Sequence, residues 1–132
     1  MLPNTPIRSV GGSAFAGCSS LETIKLPNTV SSIGDRAFEN CSSLKTFVVP
    51  YAVSVLDHYH IFAGCSSLKE ITLPVTLVTL TYDAITESNI SNIETVNYSG
   101  TQTEWQNNSA VTYRFKNANV NFKVTAPYDI DN

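Results

Sequence analysis

The chain has 132 residues, 42% of them apolar and 14% charged, with a formal net charge of −3. The length points to one domain, and the apolar share excludes a largely disordered chain, which would be poor in apolar residues and rich in charge. Only eight Lys and Arg are present, scattered along an acidic chain; no nucleic acid is expected as partner, because neutralising phosphates calls for a basic face.

The chain opens in mid-pattern. Leu2-Pro3-Asn4-Thr5 repeats later as Leu26-Pro27-Asn28-Thr29, so the first residues stand where a preceding strand should end. No basic-plus-apolar leader is visible there, and no apolar run approaches the roughly 18 residues of a membrane span, so no membrane insertion is expected. An uncovered sheet edge at this end would invite pairing, and the expectation is a fragment of a longer chain.

Three full units follow. Cys18-Ser19-Ser20-Leu21, Cys41-Ser42-Ser43-Leu44 and Cys65-Ser66-Ser67-Leu68 recur at intervals of 23 and 24 residues. After each Leu come apolar residues at Ile24, Phe47 and Ile71, then at Leu26, Val49 and Leu73, then a proline at Pro27, Pro50 and Pro74. Val30, Val53 and Leu77, then Ile33, Leu56 and Leu80, continue the pattern, and Phe15, Phe38 and Phe62 precede the cysteines. Alternation in Leu-x-x-Ile-x-Leu predicts a short strand with one buried face, which the proline ends because it has no N–H for the ladder. Strands are thus predicted at 21–26, 44–49, 68–73 and 93–98, with a helical turn near Gly34-Asp35-Arg36-Ala37-Phe38 that tucks Phe38 inward. One unit cannot bury its apolar edge alone, so the units must stack.

The third unit reads Leu56-Asp57-His58-Tyr59-His60-Ile61-Phe62, with one extra residue and no Gly, so its turn is expected to bulge. A weaker fourth copy, Ile93-Glu94-Thr95-Val96-Asn97-Tyr98, lacks the proline; Ile90 stands in the cysteine's place and Ile85 in the phenylalanine's. Beyond it, Trp105 is expected to cap the last coil's core, with sugar stacking as the other reading. Val111-x-Tyr113-x-Phe115 and Val120-x-Phe122-x-Val124 read as two strands joined at Lys116-Asn117-Ala118-Asn119, a hairpin closing the array. The expected organisation is repeats over 1–98, a capping segment over 99–125 and a frayed tail over 126–132.

The pattern Leu-x-x-Ile-x-Leu-Pro-x-x-Val-x-x-Ile-Gly-x-x-Ala-Phe-x-x-Cys, met at every position by residues 21–41, resembles the BspA-type leucine-rich repeat. Tyr98-Ser99-Gly100-Thr101-Gln102-Thr103-Glu104-Trp105 resembles the segment that often ends such arrays. The resemblance covers roughly residues 2–98. It implies an α/β-type repeat solenoid: a right-handed leucine-rich-repeat coil, mostly β and loop, with one short parallel strand per repeat and here a C-terminal β-hairpin-like cap. It also implies a secreted or cell-surface bacterial protein, similar to adhesins that bind host matrix proteins or other bacteria.

Few residues point to chemistry. The cysteines lie one coil apart with no histidine at matching spacing, unlike zinc ligands, and read as a buried ladder of small apolar thiols. His58 and His60 share a face of an extended segment but lack a third ligand, and no nucleophile or carboxylate pair accompanies them for acid–base work. The Cys-Ser-Ser serines, repeated in each full unit, suit turn hydrogen bonds better than catalysis. No catalytic residue, metal or cofactor is therefore expected, and the chain reads as not an enzyme. The candidate ligand-binding face is the outward, concave side of the strands: Thr23, Lys25, Thr46, Val48, Glu70, Thr72, Thr95 and Asn97. A neighbouring column, Glu22, Lys45, Lys69 and Glu94, has charges suited to ladders between coils. The expected function is an adhesin-like binding module for a host matrix protein, a bacterial surface protein or a glycan; the alternative is a purely structural spacer in a larger cell-surface protein.

Overall fold

In the computed structural model, which describes residues 6–125, the repeats lie on one another as successive coils. One column of backbone hydrogen bonds runs through the stack. The Lys45 N–H donates to the Glu22 carbonyl (2.9 Å), Lys69 to Lys45 (3.1 Å), Glu94 to Lys69 (2.8 Å) and Asn119 to Glu94 (2.9 Å). Neighbouring coils are thus one strand spacing apart, as a parallel ladder requires; Asn119, the register partner of Thr95, bonds the residue before its partner.

The strands are short: β1 (Ser9–Val10), β2 (Ser32–Ile33), β3 (Thr46–Val48), β4 (Val55–Leu56), β5 (Glu70–Leu73), β6 (Thr79–Leu80), β7 (Thr95–Tyr98) and β8 (Asn119–Asn121). The main sheet has the order β3-β5-β7-β8, all parallel, with Phe47, Ile71, Val96 and Val120 in register. A second ladder pairs β1 with β2 and β4 with β6. These use the later apolar positions, Ile33, Leu56 and Leu80, so a repeat contributes two short strands rather than the one expected. The ladder breaks between β2 and β4, beside the inserted residue at Asp57-His58-Tyr59. There the Tyr59 N–H turns to the Asp35 carboxylate at 2.6 Å instead of a backbone carbonyl, which is the expected bulge.

The predicted strand at 21–26 is not regular. Its Glu22 carbonyl accepts the Lys45 N–H of the second coil, but Ile24 and Leu26 stay partly exposed. Among the described residues this segment has a neighbouring strand on one side only, so its pairing frays. Nor does the turn at 34–38 form a helix. Arg36 has φ 56°, as do its repeat equivalents Ser13 (58°) and His60 (50°) nearly so, and a left-handed residue stops a right-handed helix. Gly17, Asn40 and Gly64, with φ 78°, 60° and 77°, form a second left-handed row one turn later.

The core is a column of equivalent side chains. Phe15, Phe38 and Phe62 stack nearly parallel, with centroids 5.2 and 5.8 Å apart, and Phe47 meets Phe38 and Phe62 edge-on at 5.0 and 4.8 Å. Cys41 and Cys65 are buried. Cys18 is exposed, contrary to expectation, because no coil packs on its outer side among the described residues. In repeat four the cysteine's place is taken not by Ile90 but by Asn89: its Nδ2 donates to Phe62 O at 3.0 Å, just as Cys65 Sγ donates to Phe38 O at 3.1 Å.

The C-terminal segment is not a hairpin. After α1 (Glu87–Asn92) and β7 come α2 (Gln102–Asn107), α3 (Ser109–Thr112) and a 3-10 turn at Tyr113–Phe115. Val111 and Phe115, four apart, are both buried and Tyr113 is exposed; that is a helical face, not the alternation of a strand. The crossover then delivers β8 parallel to β7, whereas the expected hairpin would have paired it antiparallel with residues 111–115. Trp105 is half-buried, edge-on to Tyr98 at 4.9 Å and 6.4 Å from Phe115 and Phe122. The partial repeat at Leu2–Thr5 and the tail at 126–132 lie outside the described residues.

Candidate functional site

Strand alternation sends Phe47, Ile71 and Val96 into the core, and therefore sends their neighbours to the opposite face. Register aligns those neighbours in two columns. One runs Thr46, Glu70, Thr95, Asn119; the other Val48, Thr72, Asn97, Asn121. Six of the eight predicted face residues are thus gathered on one surface. Thr23 and Lys25 sit at its margin, on the frayed segment, where a cleft of about 240 Å³ separates 23–28 from Thr46 and Val48.

The face is more ordered and less open than expected. Asn97 Nδ2 donates to Glu70 Oε2 at 2.7 Å and approaches Thr72 Oγ1 at 3.5 Å. Asn97 Oδ1 accepts from Asn121 Nδ2 at 2.9 Å, so an amide ladder ties three strands together. Thr72, expected to face outward freely, is only 5% exposed, since the side chains of Val48 and Asn97 flank it in register. Val48 is half-buried for the same reason. Along the rim, Lys45 pairs with Glu22 at 3.0 Å and Lys69 with Glu94 at 3.6 Å; both pairs are exposed, and each is worth under about 1 kcal/mol.

Asn119 and Asn121 were missed from the sequence because their segment was assigned to a hairpin. The signal that finds them is the likeness of Asn119-Val120-Asn121 to Thr95-Val96-Asn97 at the same interval as the other repeats.

The histidines are held in local contacts. His58 Nδ1 lies 3.3 Å from Asp35 Oδ1, and the His60 ring stacks on Tyr59 at 3.7 Å. The Tyr59 N–H, and secondarily His58, hold the Asp35 carboxyl below its usual range. Among the described residues no group of three or more His, Cys, Asp or Glu is placed to hold a metal ion, and no helix is long and apolar enough to cross a membrane.

Comparison with known proteins agrees with this architecture. The profile of the BspA-type leucine-rich repeat region matches residues 1–121 in six copies. A leucine-rich-repeat protein of Bacteroides ovatus is 30% identical, with a TM-score of 0.61 over 86% of this chain and 28% of its own. A leucine-rich cell surface protein of Faecalibacterium prausnitzii is 26% identical, with a TM-score of 0.58 over 83% of this chain and 34% of its own. The leucine-rich-repeat protein of T. pallidum, at 18% identity and a TM-score of 0.53 over 93% of this chain and 66% of its own, shares the fold. The chain thus spans about a third or less of the first two proteins' lengths. A comparison with functionally curated proteins gives no match. Period, parallel stacking and family profile coincide over most of the sequence: the chain belongs to the BspA-type leucine-rich repeat family.

Proposed function

We propose that this chain is a non-enzymatic, adhesin-like module of a bacterial cell-surface protein, and that it docks a host matrix protein, a bacterial surface protein or a glycan on the outward face of its main sheet. The observation that carries the reading is the row of Thr, Asn and Glu side chains set in register across β3, β5, β7 and β8. Such a surface offers hydroxyl, amide and carboxylate groups at fixed spacing, held by backbone ladders rather than by loops. The surface location follows the likeness to the Faecalibacterium cell surface protein. We read the coil as right-handed, the hand that crossovers between parallel strands take.

The rival reading, a structural spacer, is favoured by one feature: the polar groups of the face already bond one another through Asn97. Labelled matrix proteins and a glycan array separate the two. Binding that falls about tenfold in Val48→Ala, Thr95→Ala and Asn121→Ala variants of unchanged fold supports the docking face. Failure to bind any probe while folded, or unchanged affinity in all three variants, sinks it.

A further inference from the structure

A cleft of about 530 Å³ opens between α1 and the segment 114–119. Arg114 lines it, with Glu87, Ser91, Lys116, Asn117 and Asn119. Arg114 is unusual: its side chain is 1% exposed. Nη1 donates to the Thr81 carbonyl at 3.1 Å, and the guanidinium lies over the Tyr82 ring at 4.3 Å. Nε and Nη2, by contrast, are buried with no hydrogen-bond partner. The Glu87 carboxylate is 3.6 Å from Nη2, close enough to attract it and too far to accept a hydrogen bond.

Burying guanidinium N–H groups without acceptors is costly, and such exceptions call for an explanation. Nε and Nη2 form one edge of the planar guanidinium, an edge that matches the two oxygens of a carboxylate. Glu87 is 76% exposed and therefore free to swing aside. The cleft's volume lies within the roughly 300–1,000 Å³ of small-molecule sites. Its polar lining of Ser91, Asn117 and Asn119 can both donate to and accept from hydroxyl groups; Lys116 adds a second cation, and the Glu94 carboxylate, also in the lining, is paired with Lys69 at 3.6 Å.

We propose that this cleft binds an acidic sugar, a uronate, whose carboxylate displaces that of Glu87 and spans Nε and Nη2 of Arg114. The site shares Asn119 with the strand face but stands whether or not that face docks a partner.

The test is titration of the whole chain with glucuronate, glucose and acetate, followed by calorimetry and by the NMR signal of the Arg114 Nε–H. Glucose carries hydroxyls alone and acetate carboxylate alone. Glucuronate is expected to bind more tightly than either and to shift the Nε–H signal. Glu87→Gln removes the competing carboxylate from an exposed position and is expected to tighten glucuronate by up to about fivefold. Arg114→Lys keeps the charge without the two-pronged edge and is expected to weaken binding about tenfold or more, judged only if circular dichroism shows the native fold. Acetate binding as tightly as glucuronate, glucuronate binding no better than glucose, or affinity unimproved by Glu87→Gln would each overturn the proposal, the last of these without depending on the folding of an Arg114 variant.

Discussion

Each buried thiol donates to a phenylalanine carbonyl one coil earlier, Cys41 to Phe15 at 3.2 Å and Cys65 to Phe38 at 3.1 Å. Each of these carbonyls already accepts the N–H of the cysteine three residues on, Cys18 to Phe15 O and Cys41 to Phe38 O, both at 3.1 Å, so the small, weakly polar thiol adds a second bond on the carbonyl's other lone pair. Burial lifts the Cys65 thiol from its ordinary 9.0 to about 12 and also raises Cys41. Unfolded, these thiols lose their protons near pH 9; folded, they keep them to higher pH. Above about pH 9 the unfolded chain therefore binds fewer protons, and stability falls as pH rises. The melting temperature is expected to hold from neutral pH to that point and to drop between about pH 9 and 12. Cys18 is exposed, so a chromogenic disulfide reagent should modify one thiol rapidly in the native protein and the other two only after denaturant is added. Rapid reaction of all three would contradict the burial. Glycine 34 carries a different constraint: a Cβ there would lie 2.7 Å from Gly12 N and 3.0 Å from Gly11 C, because the coils meet backbone to backbone. Gly34→Ala is expected to cost about 1–3 kcal/mol by urea denaturation, as an overpacked contact does.

Among the elements, α2 is six residues long and buries no residue fully, so its ends matter. Thr101 Oγ1 accepts from the Glu104 N–H at 3.1 Å, and Glu104 Oε1 accepts from the Thr101 N–H at 2.9 Å, a reciprocal capping box. Thr101→Ala should destabilise the protein by about 1 kcal/mol, and the loss of Trp105 packing on Tyr98 should appear as a fluorescence change at lower denaturant. An unchanged denaturation midpoint would show that tertiary packing alone holds α2. The strands depend on neighbours instead. β8 has three residues, and its core-side residue Val120 is half-buried, yet it occupies the outer edge of β7.

For the whole molecule, stability should be graded along the stack, because each coil contacts chiefly its neighbours. The first coil has a packed neighbour on one side among the described residues, and its segment at 21–26 is frayed. Amides there and at Ser13–Leu21 are expected to exchange hydrogen faster than those of β5 and β7, which are paired on both edges; uniform protection would contradict a graded stack. The period, the cysteine and phenylalanine columns and the inward faces of β3, β5 and β7 were legible in the sequence, since stacking demands the same apolar residue at the same place in every turn. Position in the stack was not legible. Cys18 matches Cys41 and Cys65 residue for residue, yet only a coil laid over it can bury it. The sequence alone determined the repeat and the sides of β3, β5 and β7 that meet the core, because these follow from local alternation and period. Tertiary structure alone decided that 109–115 is helical, that Asn89 replaces the missing thiol, that Thr72 is covered and that Arg114 lies buried beside a cleft. Those outcomes depend on which surface the next segment finds to pack against, and that surface exists only once the coils are stacked.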